Sequence, residues 1–534
     1  MYGGNLIHQV QFVLILLLLF IIGLGTLAQR LKTPYPIVLV VGGLLLSFVP
    51  GLPRISLDPD LIFLAILPPL LFFAAAETSW RDFRYNLTTI LSLAFGLVGF
   101  TVLGVSLAAH WLIPGFDWRL GLVLGATIAP TDAIAATAIA KRVGLPQRIV
   151  HILEGESLVN DATGLLALEF STALVVNSQM PSAGGGLLRL VVLVVGGIAI
   201  GLLTGKLVRL LETYIDHSPI EITVSIVTPY VAYMGAEALH TSGVLAAVTV
   251  GLYLGRQSSS IFSSRVRIEL QSFWSTLTFL LNAVVFLLIG LQLPYILQGI
   301  RGITIGKLLT SAAQLAVAVV LLRLIWVFPG AYVADRIRRG VLHQHMKPMS
   351  SRGVFVVGWT GMRGVVSLAA AMALPVTLSN GQPFPQRSEL LFLTFAVILV
   401  TLVLQGLTLP YLIRAFKLSD AGTPNLEERE ARRAMLQSAV KQLEEMRLRD
   451  RPEFSPVYDN LAQLYEHRLA SVPGDEEPRS NKALTERYRA ISSKLREVER
   501  ATVVEMRNRR EIGDHVLRTL ERELDLLDVR FSRK

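Results

Sequence analysis

Long apolar runs dominate this sequence and fix its fold class. Crossing ~30 Å of hydrocarbon takes about 20 residues of helix. The chain offers roughly thirteen runs near that length, at about residues 11–28, 35–50, 60–77, 87–111, 119–140, 149–176, 187–210, 220–237, 241–255, 271–291, 304–333, 352–376 and 389–413. Lipid offers the backbone no hydrogen-bond partner, so runs of this kind satisfy their own amides as helices. The expectation is an all-α polytopic membrane protein. Composition agrees: 52% of the 534 residues are hydrophobic and only 17% are charged. The first run has no basic residue before it, so we read it as a retained span and not as a cleaved signal. Cysteine is absent, which removes disulfides, thiolate chemistry and Cys-ligated metals. No GxxxxGK[ST] loop occurs, which argues against an ATP-driven pump of that kind.

The net charge of +10 would point to nucleic acid if its location were ignored. Residues 1–417 hold 27 Lys and Arg against 17 Asp and Glu, whereas residues 418–534 hold 23 of each. The excess therefore belongs to the apolar part, where topology explains it. With the N-terminus outside, loops on the inner side carry 19 basic residues, among them Arg81, Arg84, Lys141, Arg142, Arg148, Arg338 and Arg339. Outer loops carry six: Arg54, Arg119, Arg189, Arg301, Lys307 and Arg387. The positive-inside rule then sets the orientation, with the C-terminus cytoplasmic. Residues 418–534 read as a cytoplasmic tail with apolar residues at helical spacing in "RRAMLQSAVKQLEEMRLRD" and "HVLRTLERELDLL" and a linker at "SVPGDEEPRSN". The expected domains are thus 1–417 in the membrane and 418–534 as a helical tail with a regulatory or dimer-supporting role.

Two basic residues, Arg323 and Arg363, fall inside spans, as do several acids. "GESLVNDATGLL" places Glu156, Asn160 and Asp161 where leucine and valine are expected. A charge at the centre of a bilayer costs ~3 kcal/mol or more. At 1.5 Å per residue, Asp161, Asp132 and Arg363 all come to lie near the midplane. "TIAPTDAIAA" puts Pro130 in mid-span and "GWTGMRGVVS" puts Gly358, Gly361 and Gly364 in mid-span. Both read as interrupted helices. If spans 1–6 and 8–13 are two six-helix repeats, these are the fifth element of each, and the odd span between them inverts the second repeat. Paired broken helices at matching positions point to a transporter site around residues 127–164 and 358–367. Glu156 and Asn160 share one helical face, as do Ser157 and Asp161. Ser157 and Asp161 offer oxygen ligands to a hard cation. Asn160, beside the carboxylate, can donate a hydrogen bond. Glu156 and Arg323 lie at similar depths and can neutralise each other. Glu154, Glu169 and His151 lie nearer the span ends, where wetted or snorkelling side chains are ordinary.

These stretches, with "ILPPLLFFAAAETSWRDFRYNL" and "WTGMRGVVSLAAAMALP", resemble the monovalent cation/proton antiporter-1 family in its bacterial Na+/H+ exchanger branch. The resemblance covers about Leu6 to Lys417, and "ERELDLLDVR" is similar to tails of that branch. It implies that the ion-binding pair falls on Asn160 and Asp161, and the Thr-Asp of the first broken helix on Thr131 and Asp132. It places a structural Glu at Glu156 with partner Arg323, and the Arg of the second broken helix at Arg363. It implies a homodimer with a dimerisation domain and a mobile six-helix core. Two positions depart from the family pattern. Ala133 follows Asp132, with the proline before it at Pro130. Phe73 stands where some relatives carry an acid, and Glu77 is one turn on.

The chemistry then follows from one buried carboxylate. Proton and Na+ compete for Asp161, and either one neutralises it, so the loaded carrier crosses while the bare anion crosses poorly. With Asn and not a second Asp at 160, one H+ exchanges for one Na+ (or Li+), which resembles electroneutral members of the family. Asp132 and Arg363 would offset partial charges at the helix breaks. The site needs no cofactor, only the transported ions. Expected partners are membrane lipids, a second copy and a regulatory ligand for the tail, with no nucleic acid; the expected role is pH homeostasis at the bacterial inner membrane. The alternative is K+/H+ exchange on the same scaffold. A membrane hydrolase would need an HExxH or GxGD sequence, and neither occurs. A channel would not need the neutralise-to-move logic.

Overall fold

The computed structural model describes residues 2–50, 57–177, 183–300, 304–340, 343, 348–378, 381–418, 426–470, 479–509, 511, 516, 517, 520 and 524. The chain forms two compact units, Met1–Ala421 and Gly422–Lys534. Among the described residues the only extended pairing is an isolated bridge between Thr377 and Pro383; the rest of the regular structure is helical.

The first unit begins with α1 (Tyr2–Arg30), α2 (Tyr35–Leu46), α3 (Leu61–Glu77), the short α4 (Trp80–Tyr85) and α5 (Leu87–Leu112). The half-helices α6 (Trp118–Ile128) and α7 (Ala133–Val143) follow, then the long α8 (Gln147–Asn177) and α9 (Ala183–Glu212). Next come α10 (Ser218–Ala238), α11 (Gly243–Ile261), α12 (Ser264–Leu291), the short α13 (Leu293–Gln298) and α14 (Ile305–Gly340). A second pair of half-helices, α15 (Ser351–Trp359) and α16 (Val365–Met372), precedes α17 (Arg387–Ala415). Helix occupies all of the runs read as spans. Among the described residues, eight stretches are long and apolar enough to cross a membrane, and α2 and α3 are shorter apolar helices.

Local chemistry explains many of the boundaries. Ser242, Ser263 and Ser350 accept from the amides of Leu245, Val266 and Gly353 at the starts of α11, α12 and α15, which satisfies donors a helix start leaves open. The interruption of the fifth span falls at Pro130, and that of the twelfth between Thr360 and Gly364. Arg387 closes the far end of α16 by donating to the carbonyls of Met372 and Leu374 at 2.8 and 3.1 Å.

Packing follows the repeat pattern. α2 lies along α12 and α3 lies along α11. In span order these are the second with the tenth and the third with the ninth, and exchanging the two halves of the chain converts one pairing into the other. The α3–α11 crossing is close because Gly251 and Gly255 meet the backbone carbonyls of Phe72 and Ala76, where any Cβ would clash. Ile62, Ile90, Leu124, Ile139, Phe286 and Phe395 fill the core, fully buried. α1 and α9 instead expose Leu14, Leu19, Leu203 and Leu207 outward, as lipid-facing helices do.

The second unit contains α18 (Leu426–Arg449), α19 (Ser455–Ala470) and α20 (Arg479–Asn508). Most of the expected linker, 471–478, and most of "HVLRTLERELDLL" lie outside the described residues. The Tyr458 hydroxyl donates to Asp450 Oδ2 at 2.8 Å and holds that carboxyl below the usual carboxylate range, helped by the Arg451 amide.

Candidate functional site: the crossing of two broken helices

The two breaks meet. The Asp132 amide donates to the Met362 carbonyl at 2.9 Å, and the Ser367 hydroxyl donates to the Pro130 carbonyl at 3.4 Å. Each break leaves helix-end groups without intrahelical partners, and two charged side chains attend to them. Asp132 Oδ1 accepts from the Ile134 amide at 2.7 Å, capping α7. Arg363 Nη1 donates to the Ala129 carbonyl at 2.7 Å, closing the end of α6. The Arg363 amide in turn donates to the Thr401 hydroxyl at 3.2 Å. Gly364 is required here, because a Cβ on it would overlap the Asp132 carboxyl.

The sequence reading had Asp132 and Arg363 offset partial charges at the helix breaks, and each side chain does serve a helix end; among the described residues no ion pair joins the two. The partial charge at a helix terminus is what each one answers. Asp132 Oδ2 and Arg363 Nε and Nη2 remain buried without a hydrogen-bond partner.

Against this crossing lies α8. Arg323 grips Glu156 with both arms of its guanidinium, Nη1 to Oε1 at 2.5 Å and Nη2 to Oε2 at 2.8 Å. Both residues are 1% exposed, so neither charge has water to fall back on. Arg323 also donates to the Val357 carbonyl on α15. The Thr131 hydroxyl donates to Glu156 Oε1 at 2.9 Å and accepts from the Asn160 side-chain amide at 2.6 Å. Asn160 therefore addresses Thr131. The expectation that it donates to Asp161 is not met: no hydrogen bond between the two is formed. The reason is rotational, because Asn160 points toward the break while Asp161, one residue on, points elsewhere. Ser157 accepts from the Ala133 amide at 3.3 Å.

Asp161 faces a cavity of ≈ 310 Å3, which it shares with Thr131, Asp132 and Ser157. Asp161 is 5% exposed, and among the described residues no hydrogen bond reaches its carboxylate. Glu156, Asn160, Arg323 and Arg363 stand behind the wall and not on it. The cavity thus brings together oxygen donors of the kind a hard monovalent cation takes. It extends along α3 and α8 to Glu77 and Glu154, toward the arginine-rich end of the domain. Phe73, also on the wall, stacks on Trp274 with centroids 5.7 Å apart. Glu77 accepts from Gln271 at 2.6 Å. His151 lies 3.5 Å from Asp82 and 3.8 Å from Glu154. Glu169, at the other end of α8, pairs with Arg189 at 3.4 Å.

Sequence reasoning missed the opposite wall. Tyr35 on α2 and Thr278 and Asn282 on α12 also line the cavity, as does Ser367 on α16. Tyr35 and Asn282 are hydrogen-bonded to each other. The available signal was a lone carboxamide in "TFLLNAVVFLL".

A family profile described as sodium/hydrogen exchanger, transmembrane, matches residues 15–415. An uncharacterised Na+/H+ exchanger of Mycobacterium tuberculosis is 33% identical over 524 residues, covering 97% of this chain and 95% of that one. A Na+/H+ antiporter of Aphanothece halophytica is 32% identical over 430 residues, covering 79% and 78%. Among solved structures, a sodium proton antiporter of Methanocaldococcus jannaschii at pH 8 matches with a TM-score of 0.61 at 21% identity, covering 78% of this chain and 99% of that one; at that identity the likeness speaks for the fold.

Proposed function

The chain belongs to the sodium/hydrogen exchanger family within the monovalent cation/proton antiporter-1 group, and from that premise we propose that it is a secondary Na+/H+ antiporter in which H+ and Na+ compete for Asp161. The observation that carries this reading is the contrast among buried acids. Glu156 is held by Arg323 and Thr131, whereas Asp161 looks into the cavity with no hydrogen bond from the described residues. A carboxylate committed to a guanidinium cannot be emptied and refilled at each cycle. One that faces a cavity can.

The cycle has few steps. Na+ entering from the cavity lies against the Asp161 carboxylate, with Asp132, Thr131 and Ser157 as neighbouring oxygen donors. Arrival of a proton at Asp161 removes the charge that held the cation, and the cation leaves. Either load neutralises Asp161, which lowers the cost of carrying it past an apolar wall. The bare anion stays put. That difference couples the two ions without any covalent chemistry. Li+ fits the same oxygen set. Asp132 and Arg363 stay with their helix ends throughout, so one charge is exchanged for one and the cycle is electroneutral.

The remaining features are part of the same proposal. The arginine-rich end faces the cytoplasm of a bacterial cell, placing the N-terminus outside, so the cavity described here opens inward. A homodimer would cover exposed apolar faces such as those of α1 and α9. The 418–534 tail would be regulatory. Purified protein in proteoliposomes, with Na+, Li+ and K+ gradients compared by internal pH, tests the reading. Na+-driven alkalinisation or acidification is expected. Flux driven by K+ and not by Na+ would replace the proposed cation, and no cation-dependent proton flux would refute antiport.

A further inference from the structure

A separate cavity of ≈ 300 Å3 lies at the arginine-rich end of the membrane unit. Its polar wall holds Thr89 on α5, Arg148 at the start of α8, Arg338 and Arg339 at the end of α14, and Ser351 on α15. Three guanidinium-bearing residues meet there and one carboxylate, Asp335, which is paired with Arg339. Arg338 is the anomaly. It is 2% exposed, yet its one hydrogen bond among the described residues is from Nη2 to the neutral hydroxyl of Thr89, at 2.8 Å. Its Nε is buried with no partner. Burying a guanidinium against neutral groups is costly unless an anion completes it.

Much of the remaining lining is apolar, with Val327, Phe328, Ala331 and Val354. Phe328 is 43% exposed and Tyr332 64% exposed, so the cavity is continuous with the outer surface of α14. We propose that this cavity binds a phosphate group, held by Arg338 and Arg148. A planar guanidinium fork matches phosphate oxygens two at a time. A phospholipid headgroup and a soluble phosphate share that chemistry. The apolar wall that reaches the lipid-facing surface favours the headgroup of an anionic lipid, with its chains along Phe328 and Tyr332. Val357 lines this cavity and also accepts from Arg323. Occupancy therefore braces α15, whose Val357 carbonyl accepts from Arg323 of the Glu156–Arg323 pair.

The test uses the full chain, delipidated in detergent and melted with added phosphatidylglycerol, phosphatidylcholine or inorganic phosphate. Phosphatidylglycerol is expected to raise the midpoint in a saturable way and phosphatidylcholine is not. Arg338→Gln and Arg148→Gln should each raise the half-effective lipid concentration by ~10-fold or more, the loss of one charge-assisted bond. Arg119→Gln, at the opposite end of the domain, should leave it unchanged. If Arg338→Gln does not fold, Arg148→Gln decides alone. A saturable shift with inorganic phosphate but none with phosphatidylglycerol supports the site and assigns it to a soluble phosphate. No shift with either anion, or an equal shift in the arginine variants, overturns the proposal.

Discussion

Asn160 turns away from its neighbour Asp161 and donates to the hydroxyl of Thr131 at 2.6 Å. The carboxamide thereby joins the structural network of Glu156 and Arg323, and Asp161 is left to the cavity.

Thr131 should accordingly matter for stability through its hydroxyl. Thr131→Val keeps the shape but leaves the Asn160 amide only the Thr131 carbonyl at 3.5 Å and strips a donor from Glu156, at ~1–3 kcal/mol. Thr131→Ser restores the hydroxyl and should melt close to the parent. A detergent melt of both variants checks this; equal midpoints for Val and Ser would show that the bond contributes nothing.

Asp161→Asn should abolish exchange in a protein that still folds. The side chain keeps its volume but holds no transferable proton at neutral pH. Substantial Na+-dependent proton flux from the purified variant would remove Asp161 from the mechanism.

Breaking the bidentate pair should cost far more than adjusting it. Glu156→Ala strands a buried guanidinium, at ~3–5 kcal/mol. Arg323→Ala strands the carboxylate in the same way. The double variant should recover part of the loss, and strict additivity would mean that the two are not energetic partners. Lost transport with an unshifted melt would instead make Glu156 an ion carrier.

The breaks and the pair were legible because their signals are local or metric. Pro130 and the glycines around Arg363 each stand beside a charge in mid-span, and a rise of 1.5 Å per residue brought Glu156 and Arg323 to one depth. What the sequence withheld was rotation about the helix axis. Asp132 and Arg363 share a depth but address different helix ends, and Asn160 and Asp161 adjoin in sequence but face different groups. Thr278 and Asn282 are four residues apart and share a face of α12, but nothing in the sequence ties that face or Tyr35 to the breaks. Only the packing of α2 along α12 brings them to the cavity.

Transport should be indifferent to membrane potential. With Asp132 and Arg363 each engaged at a helix end, the proposed cycle has Asp161 alone change its load. A potential of ~100 mV acts with about 2.3 kcal/mol on each net charge moved. Measuring the equilibrium Na+ distribution in proteoliposomes under an imposed potential gives the number. A shift would mean that a second group titrates, with Asp132 the first suspect.

Gly364 stands at the start of its half-helix as Asp132 stands at the start of the other, and the two starts face each other. The gap between them holds only one side chain. Where one start carries a carboxylate, its counterpart carries only hydrogen. The two halves of the scaffold thus meet as unequal partners: one supplies the group and the other supplies the room for it.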